Sequence, residues 1–282
     1  MKILVTGAGG QLGRDLVRIL SKEHKVFGYS RHELDITDPA QVLACLRQLK
    51  PHAVVHAAAY TKVDLAETEK EQAYLVNAYG TRNVAVAAQS VGAKMAYVST
   101  DYVFDGKTST PYHEFDETNP LNVYGNSKLA GEEFVRSFSD KFFIVRTSWV
   151  YGVHGTNFVK TMLKMAEERN ELRVVSDQIG SPTYTVDLCQ FIGELMTTEK
   201  YGIYHASNAG RCSWHEFATV IFEETQKAIR VVPIKTGDFP RPAIRPAFSV
   251  LDHMSIRLND FSGLRHWKEA LKDFLKVYSR KD

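Results

Sequence analysis

The sequence predicts an α/β fold in which a doubly wound parallel sheet is followed by a smaller C-terminal lobe. Short apolar runs alternate with helical patterns through the first two thirds of the chain, as a parallel sheet with crossover helices requires. A glycine-rich turn follows the first apolar run. Beyond Tyr151 the alternation weakens, and the proline-rich segment GDFPRPAIRP is irregular, which indicates a second lobe.

The predicted strands are apolar runs with the length and composition of buried parallel strands. Five of them come first, KILVTG, KVFGYS, AVVHAAA, KMAYVST and FFIVRTS. Helical spacing separates them, in QLGRDLVRILSK, PAQVLACLRQLK, EQAYLVNAYGTRNVAVAAQSVG and the segment after Tyr124. A late run, GIYHASN at residues 202–208, predicts a return of the chain to the sheet, and NFVKTMLKMAEE and SWHEFATVIFEETQK predict helices of the lobe.

Composition excludes several classes of protein. The chain has 282 residues and a formal net charge of only +2, from 35 basic and 33 acidic residues, so no nucleic acid partner is expected. Cys45, Cys189 and Cys212 lie far apart without a CxxC pair, which favours a reducing compartment. The start MKILVTG lacks a signal-peptide pattern, and no apolar run reaches the roughly 18 residues of a membrane span. We therefore expect a soluble cytoplasmic protein with no membrane contact.

The stretch ILVTGAGGQLG near the N-terminus gives the strongest local signal. A buried strand leads into a glycine turn and then a helix, where backbone amides and the helix dipole can receive a pyrophosphate. Its spacing, TG-x-x-G-x-x-G, departs from G-x-G-x-x-G but is typical of short-chain dehydrogenases. The alternative is a tight turn without a ligand. We predict a Rossmann-type dinucleotide site that includes Gly7, Gly10, Gln11, Leu12 and Gly13.

The end of the second strand indicates which dinucleotide binds. Ser30 and Arg31 stand where an acidic residue would hold an unphosphorylated ribose, so the sequence favours NADPH. NADH is also allowed if Arg31 only stacks on adenine. Asp35 and Ile36 are expected near the adenine edge. A helix cap is the alternative for Asp35, although Asp38 is the better cap.

The pentapeptide YGNSK, residues 124–128, predicts an acid beside a cation. If a helix begins near Asn122, Tyr124 and Lys128 lie one turn apart on one face. A fixed ammonium group would then lower the tyrosine pKa from its usual value of about 10. The alternative is an exposed tyrosine and a solvated lysine.

Taken together, these motifs resemble the extended short-chain dehydrogenases/reductases over nearly the whole chain, through the three glycines, HAAAYT, VNAYGT, STDYVFDG and the Tyr124 and Lys128 pair. Five stretches resemble those of the dTDP-4-dehydrorhamnose reductases in particular, namely STDYVFDG, TSWVYG, GTNFVKTML, DQIGSPT and RPAFSVLD. The resemblance implies NADPH-dependent reduction of the 4-keto group of dTDP-4-dehydro-L-rhamnose, the last step towards dTDP-L-rhamnose for surface polysaccharide. It implies a small-molecule nucleotide-sugar substrate.

We assign an NAD(P)-binding domain to residues 1–150 and 180–208, and a sugar-nucleotide-binding lobe to residues 151–179 and 209–282.

The resemblance also implies catalytic and cofactor roles. Thr100 would hydrogen-bond the 4-keto oxygen, Tyr124 would donate the proton, and Lys128 would lower the tyrosine pKa and bind the nicotinamide ribose. The further cofactor contacts implied are Ala57, Ala58, Ala59, Tyr60, Asn77 and Ser99. For Ala57, packing between helix and sheet is an equal alternative to a cofactor contact. For Asn77, the alternative is a satisfied polar position inside a helix.

The implied substrate contacts depend on the resemblance more than the catalytic and cofactor roles do. Trp149 would lie near the deoxysugar, although tryptophan is usually a core residue. Asn157 and Arg245 would meet the diphosphate, and Gln178 the base. An exposed ion pair is the alternative for Arg245. The STDYVFDG motif adds Thr100, Asp101, Val103 and Phe104.

No metal site is expected. His56, His113 and His154 lack metal-ligand spacing. Some relatives hold a magnesium ion at a dimer contact between acidic residues; here Asp15 is acidic, but Val186 occupies the second position. The sequence leaves the oligomeric state open, with a homodimer as one option.

Three functions stay open at this point. Besides the reductase, a related sugar-nucleotide reductase, epimerase or dehydratase is possible, although Arg31 and the C-terminal motifs disfavour an enzyme that recycles bound NAD. A non-catalytic NADP-binding regulatory subunit is disfavoured by the intact Thr100, Tyr124 and Lys128 set. The sequence does not distinguish L-rhamnose from 6-deoxy-L-talose as the product sugar.

Overall fold

The computed structural model describes residues 1–279, and its main feature is a six-stranded parallel sheet. The strands in chain order are β1 (Lys2–Thr6), β2 (Lys25–Tyr29), β3 (Ala53–His56), β4 (Lys94–Thr100), β5 (Phe142–Thr147), β6 (Val150–Tyr151), β7 (Glu171–Val175), β8 (Ile179–Gly180), β9 (Thr183–Tyr184), β10 (Gly202–His205), β11 (Cys212–Ser213) and β12 (Arg230–Ile234). The sheet order is β10-β5-β4-β3-β1-β2, so the strand order reverses between β1 and β3. A ligand crevice is expected at that point, outside the carboxyl ends of the strands.

The helices alternate with these strands as the apolar spacing predicts. They are α1 (Gln11–Leu20), α2 (Pro39–Leu49), α3 (Val63–Ala66), α4 (Lys70–Tyr74), α5 (Thr81–Ser90), α6 (Val123–Phe138), α7 (Phe158–Glu168), α8 (Thr185–Met196), α9 (Trp214–Glu224), α10 (Met254–Leu258) and α11 (Trp267–Tyr278). No helix within residues 1–279 is both long enough and apolar enough to cross a membrane.

Local sequence signals set several helix boundaries. The side chain of Asn122 caps α6 by accepting a hydrogen bond from the Gly125 amide at 2.8 Å, which confirms the predicted start. Asp38 caps α2 as expected. The single long helix predicted over EQAYLVNAYGTRNVAVAAQSVG is instead divided by a π-helical turn, Leu75–Gly80. At this turn the carbonyl oxygen of Asn77 accepts a hydrogen bond from the Thr81 hydroxyl at 2.7 Å.

Apolar clusters cover both faces of the sheet. Ile3 and Val5 pack towards α1 and α8, whereas Leu4, between them, packs towards α2 and α5 on the other face. Because both faces of the sheet are buried, the strand sequences are continuously apolar rather than alternating. A third cluster, built on α7, α9 and α11, forms the core of the lobe.

The chain crosses between the two regions more than once. Strand β10 pairs with β5, which confirms the predicted late return to the sheet. Helix α8 packs on α1 beneath the sheet. Ile256 and Leu264 also belong to the cluster under the sheet, although they fall in the segment that the sequence assigns to the lobe. The proposed domain boundaries therefore stay a prediction.

Candidate active site

A cleft of about 840 Å³ lies at the carboxyl ends of β1, β3, β4 and β5, where the strand order reverses. Two larger grooves, of about 980 and 940 Å³, lie elsewhere on the surface and contain neither the glycine turn nor Tyr124 and Lys128. We therefore take the cleft as the candidate active site. The predicted residues that line it are Gly7, Gly10, Gln11, Leu12, Gly13, Arg31, Asp35, Ile36, Ala57, Ala58, Ala59, Tyr60, Ser99, Thr100, Asp101, Tyr124, Lys128 and Trp149.

The glycine turn is shaped to leave backbone groups accessible. Gly7 has a φ of 69°, and a β-carbon there would come within 2.7 Å of the Ala58 backbone. The Gly10 amide donates to the Gly7 carbonyl at 2.9 Å, and α1 begins at the next residue. The first turn of α1 thus lies in the cleft lining, and the unpaired amides of a helix start are the groups that receive phosphate.

Arg31 is exposed where β2 ends and lines the cleft. Asp35 accepts hydrogen bonds from the amide and hydroxyl of Thr37, and these bonds, with a smaller contribution from the charge of Arg31, hold its pKa below the usual range. Ile36 is buried beside it. An exposed guanidinium at this position suits a 2′-phosphate, so the cleft fits NADPH.

Asn77 is fully buried and lies outside the residues that line the cleft. Its side chain accepts from the Tyr60 amide at 2.8 Å and donates to the Tyr60 carbonyl at 3.1 Å and the Ser127 hydroxyl at 3.0 Å. These bonds hold the Tyr60 backbone against α6. Asn77 has the contacts expected of a satisfied polar residue, and its direct contact with the cofactor stays a prediction.

Tyr124 and Thr100 meet at the centre of the cleft. The Thr100 hydroxyl accepts from the Tyr102 amide and donates to Oδ1 of Asp101, both at 3.2 Å. Burial raises the pKa of Tyr124 to about 12, while the Thr100 hydroxyl acts in the opposite direction. The predicted lowering of this pKa is therefore wrong in direction, because burial outweighs the other effects. A phenol with this pKa keeps its proton near neutral pH and can act as a donor.

Lys128 is buried, and its ammonium group contacts β4. The Nζ atom donates to the Val98 carbonyl at 2.7 Å and lies 4.0 Å from the centre of the Tyr97 ring. Burial lowers the pKa of Lys128 to about 7, and the charge of Glu132 opposes that shift. The neighbouring strand thus fixes the amine next to the cleft.

A buried ion pair lies behind Ser99 and Lys128 and was missed by the sequence reasoning. Arg146 and Glu132 form a bidentate pair, with Nε to Oε1 at 3.0 Å and Nη2 to Oε2 at 2.7 Å. The Ser99 hydroxyl donates to Glu132 Oε1 at 2.6 Å, so Ser99 is engaged by the protein. Two signals were present in the sequence, namely the charged Arg146 inside the apolar strand FFIVRTS and the spacing of four between Lys128 and Glu132.

Asp101 is the most unusual carboxyl group in the cleft. It is 2% exposed, and its Oδ2 atom makes no hydrogen bond within residues 1–279. Burial raises the pKa of Asp101 to about 7, against the opposing effect of its hydrogen bonds. A buried carboxyl group with an oxygen that lacks a partner favours the protonated form, although the nearby Ser249 hydroxyl acts to lower its pKa.

Trp149 closes the lobe side of the cleft, and it is partly buried. Its ring stacks on Trp214 with the ring centres 3.5 Å apart and the planes at 8°. Trp214 also lines the cleft and was not predicted, because in the sequence it reads only as the start of an amphipathic helix.

Several predicted substrate contacts lie away from the cleft. Val103 and Phe104 are fully buried in a small cluster, where Phe104 stacks on Tyr112 with 4.2 Å between ring centres. Their contact with substrate stays a prediction. Gln178 also lies outside the cleft lining and donates to the Thr236 hydroxyl at 3.1 Å.

Asn157 and Arg245 are likewise engaged by the protein. Asn157 caps α7, and its amide nitrogen donates to Gln11 Oε1 and the Gly152 carbonyl, both at 2.8 Å. Arg245 forms an ion pair with Asp64 in which Nη2 lies 2.9 Å from Oδ2. The pair is partly buried rather than exposed as the alternative has it. A diphosphate contact of Arg245 stays a prediction and would require this pair to open.

Metal ligands were not expected, and within residues 1–279 no group of three or more His, Cys, Asp or Glu side chains is placed to hold an ion. Asp15 is buried, and it accepts from the Thr185 hydroxyl at 2.6 Å and pairs with Arg18. His56 lies within hydrogen-bond distance of the Thr6 hydroxyl, at 2.6 Å. The absence of a bound metal stays a prediction.

Known proteins resemble the chain along its whole length. A family profile described as the RmlD substrate binding domain matches residues 1–280. A spore coat polysaccharide biosynthesis protein of Bacillus subtilis is 46% identical over 281 residues, which cover 99% of this chain and 98% of the relative. The dTDP-4-dehydrorhamnose reductase of Aggregatibacter actinomycetemcomitans is 43% identical, with 99% of each chain covered.

Solved structures agree with these relatives. The dTDP-4-dehydrorhamnose reductase of Bacillus anthracis, solved in complex with NADP, superposes with a TM-score of 0.97 at 48% identity, covering 98% of this chain and 99% of that one. A UDP-glucose 4-epimerase of Thermus thermophilus reaches a TM-score of 0.85 at only 20% identity, over 99% of both chains, and shares the fold alone. The chain therefore belongs to the family of the dTDP-4-dehydrorhamnose reductases, within the extended short-chain dehydrogenases/reductases.

Proposed function

We propose that this protein reduces the 4-keto group of dTDP-4-dehydro-L-rhamnose with NADPH and releases dTDP-L-rhamnose. The observation that carries the proposal is the meeting of Thr100, Tyr124 and Lys128 in one cleft with the glycine turn. The reductase from A. actinomycetemcomitans, at 43% identity over the full chain, supports the substrate class.

The residues of the cleft have distinct roles in this reaction. NADPH, when bound, supplies a hydride to the carbonyl carbon. Thr100 and Tyr124 hydrogen-bond the keto oxygen, and Tyr124 transfers its phenolic proton to that oxygen as negative charge develops there. The C=O double bond thereby becomes a C–OH group, and solvent returns a proton to Tyr124. Lys128 stays anchored to the Val98 carbonyl and offers its remaining hydrogens to the ribose.

The preference for NADPH rests on Arg31, which is exposed where β2 ends. Its guanidinium can bind a 2′-phosphate in a bidentate manner, whereas NADH would offer it only adenine to stack on. The NADP complex of the B. anthracis relative supports the same preference.

The decisive experiment incubates the purified protein with NADPH and dTDP-4-dehydro-L-rhamnose and identifies the sugar by NMR. We expect one NADPH oxidised per dTDP-L-rhamnose formed. Product without net NADPH oxidation would indicate an epimerase, and no turnover would favour a regulatory subunit. Formation of 6-deoxy-L-talose would show that hydride reaches the other face of the carbonyl.

A second substrate is worth testing in parallel. A relative from Streptomyces niveus, 40% identical over 271 residues, is named dTDP-4-keto-6-deoxy-D-glucose reductase. That sugar differs in stereochemistry but carries the same keto group. A higher kcat/KM for this substrate than for the L-rhamnose precursor would overturn the proposed substrate while preserving the reaction class.

The cellular setting is part of the proposal. The B. subtilis relative is named for spore coat polysaccharide, which supports a role in supplying sugar for a surface polysaccharide. The three cysteines are free thiols, as expected for a protein that works in the reducing cytoplasm. Light scattering at several concentrations would test whether the chain forms a homodimer.

A further inference from the structure

A buried histidine lies at the end of the sheet, behind the glycine turn. His56 is the last residue of β3, is 0% exposed, and pairs in register with Thr6, the last residue of β1. Its Nδ1 atom lies 2.6 Å from the Thr6 hydroxyl, and its Nε2 atom lies 3.0 Å from the Thr81 hydroxyl. Thr81 is the first residue of α5. The imidazole therefore joins the strand that enters the glycine turn to a helix that packs on the sheet.

The groups around His56 allow one protonation state of the ring. The Thr81 hydroxyl donates its hydrogen to the Asn77 carbonyl at 2.7 Å, so towards Nε2 it can only accept. The ring hydrogen is therefore on Nε2, and Nδ1 accepts from the Thr6 hydroxyl. Burial and the charge of Lys128 lower the pKa of His56 to about 3, so the ring is neutral near neutral pH.

Asn77 continues this chain of hydrogen bonds to the helix that carries Tyr124. It lies in the π-helical turn, and its side chain donates to the Ser127 hydroxyl at 3.0 Å. That hydroxyl donates to the Tyr124 carbonyl at 2.8 Å. Gly131 allows α6 to pack closely on the turn, because a β-carbon there would collide with the Asn77 carbonyl oxygen. Thr81, Asn77 and Ser127 are all fully buried, so the chain runs through the interior from the sheet to α6.

We propose that His56 is a positioning residue for the reduction, because its hydrogen bonds tie the π-helical turn, and through it the Tyr124 backbone, to the strand ends beside the glycine turn. The inference rests on the proposed function, in which Tyr124 is the proton donor. A donor must meet the keto oxygen as the hydride arrives, so a small displacement of the donor slows turnover more than it weakens binding. A neutral ring suits this role, because each nitrogen makes one bond of fixed direction and the ring adds no charge near Lys128.

Asparagine and glutamine at position 56 separate the two bonds of the ring. The longer amide of His56→Gln can replace Nε2 and donate to Thr81, whereas the shorter amide of His56→Asn can replace only Nδ1 and accept from Thr6. Both variants lose the ring and its stacking on Tyr97, so their difference isolates the bond to the π-helical turn.

The measurement is turnover of dTDP-4-dehydro-L-rhamnose with NADPH by both variants. We expect kcat to fall roughly tenfold in His56→Asn and to recover to within about threefold of wild type in His56→Gln. Because His56→Asn keeps the bond to Thr6, its KM and its dissociation constant for NADPH should change less than about twofold. A kcat of His56→Asn that equals or exceeds that of His56→Gln would overturn the positioning role.

A substitution outside position 56 keeps the test decisive if those variants fold poorly. Thr81→Val keeps the shape of the side chain but removes the hydroxyl between His56 and Asn77, so kcat should fall roughly tenfold while NADPH binding is retained. Thr219→Val is the matched control, because the Thr219 hydroxyl also donates to a carbonyl four residues earlier, that of His215, at 2.9 Å and outside the cleft lining. It should leave kcat unchanged. Wild-type kcat in Thr81→Val would overturn the positioning role.

The protonation state of His56 can be measured without substrate. Nitrogen-15 NMR of the ring should show the hydrogen on Nε2 and no titration between about pH 6 and 8. A hydrogen on Nδ1, or a charged ring, would overturn the chain of hydrogen bonds. Wild-type protein that does not reduce the substrate would overturn the proposed function. Active wild type with equally active His56→Asn and Thr81→Val variants would overturn the positioning role alone.

Discussion

The phenol ring of Tyr97 lies under the ammonium group of Lys128, with Nζ 4.0 Å from the ring centre. The hydroxyl group of the same tyrosine lies 3.3 Å from the carbonyl oxygens of Asn77 and Lys128. Strand β4 thus supplies both an aromatic face and, from Val98, a carbonyl oxygen to the buried amine. Both contacts favour the charged form of Lys128, which burial opposes.

Replacing Tyr97 with leucine should lower the pKa of Lys128, because the aromatic face no longer stabilises the cation. A desolvated cation–π contact contributes up to about 2 kcal/mol, so the basic limb of the pH profile of kcat/KM should move down by about one pH unit. Glu132, His56 and Tyr124 are the titratable groups around this amine and stay unchanged in the variant. Tyr97→Phe keeps the ring and is the control. A basic limb that stays in place in folded Tyr97→Leu would contradict the role of the ring.

Tyr124→Phe should lower turnover by about 10² to 10⁴-fold, because it removes the proton donor but keeps the ring. The dissociation constant for NADPH should stay close to the wild-type value. Tyr79→Phe is a suitable control, since this tyrosine is 49% exposed and lies outside the cleft lining. Wild-type turnover in Tyr124→Phe would remove Tyr124 from the mechanism.

Arg31→Ala should weaken NADPH binding by roughly 1.5 to 3 kcal/mol and leave NADH nearly unchanged, as expected for the loss of a charge-assisted contact with a 2′-phosphate. Titration of protein fluorescence with each cofactor measures both affinities. Lys22→Ala removes an exposed charge outside the cleft and should affect neither. Equal losses for NADPH and NADH would show that Arg31 stacks on adenine instead.

Asp101 makes the stability of the protein depend on pH. Burial raises its pKa from the usual 3.8 to about 7, so the folded state retains a proton that the unfolded state releases. The stability contributed by this group is present below about pH 4 and is lost as the pH rises towards 7. Relative to Asp101→Asn, wild type should lose about 1.4 kcal/mol of unfolding free energy per pH unit across that interval. Urea unfolding of both proteins at pH 5, 6 and 7 measures this difference.

Asp105 provides the control for this experiment. Burial acts to raise its pKa, but hydrogen bonds from Lys107, Tyr112 and Asn119 and the charge of Lys107 lower it overall. A lowered pKa makes stability depend on pH only below about the pKa of the unfolded state. The difference in unfolding free energy between wild type and Asp105→Asn should therefore not change between pH 5 and 7. If the difference in unfolding free energy between wild type and Asp101→Asn is also independent of pH in this range, Asp101 is ionised in the folded protein.

Sequence patterns predicted the fold and the position of the glycine turn well, because periodicity and turn chemistry act locally. The glycine turn, the start of α6 at Asn122 and the return of β10 follow from such patterns. The π-helical turn at Leu75–Gly80 does not, because it depends on the tertiary hydrogen bond from the Tyr97 hydroxyl and on Thr81.

The substrate half was harder to predict because motif membership does not fix side-chain direction. Val103 and Phe104 follow Thr100 and Asp101 closely, yet the single 3₁₀ turn at Asp101–Val103 sends them into the core. Trp214 lies 65 positions after Trp149 in the chain and reaches it only through the pairing of β8 with β11. Arg146 and Glu132 are joined in the same way by the packing of α6 on β5.

The repeated crossing of the chain between the sheet and the lobe has a consequence for unfolding. Ile256 and Leu264 are 0% and 8% exposed within the cluster under the sheet, although much of the lobe precedes them in the chain. Neither region can therefore lose its structure without uncovering apolar surface of the other, which is the condition for a cooperative all-or-none transition. The protein should melt in one step with equal calorimetric and van't Hoff enthalpies, and a fragment ending at residue 208 should not persist as a stable nucleotide-binding half.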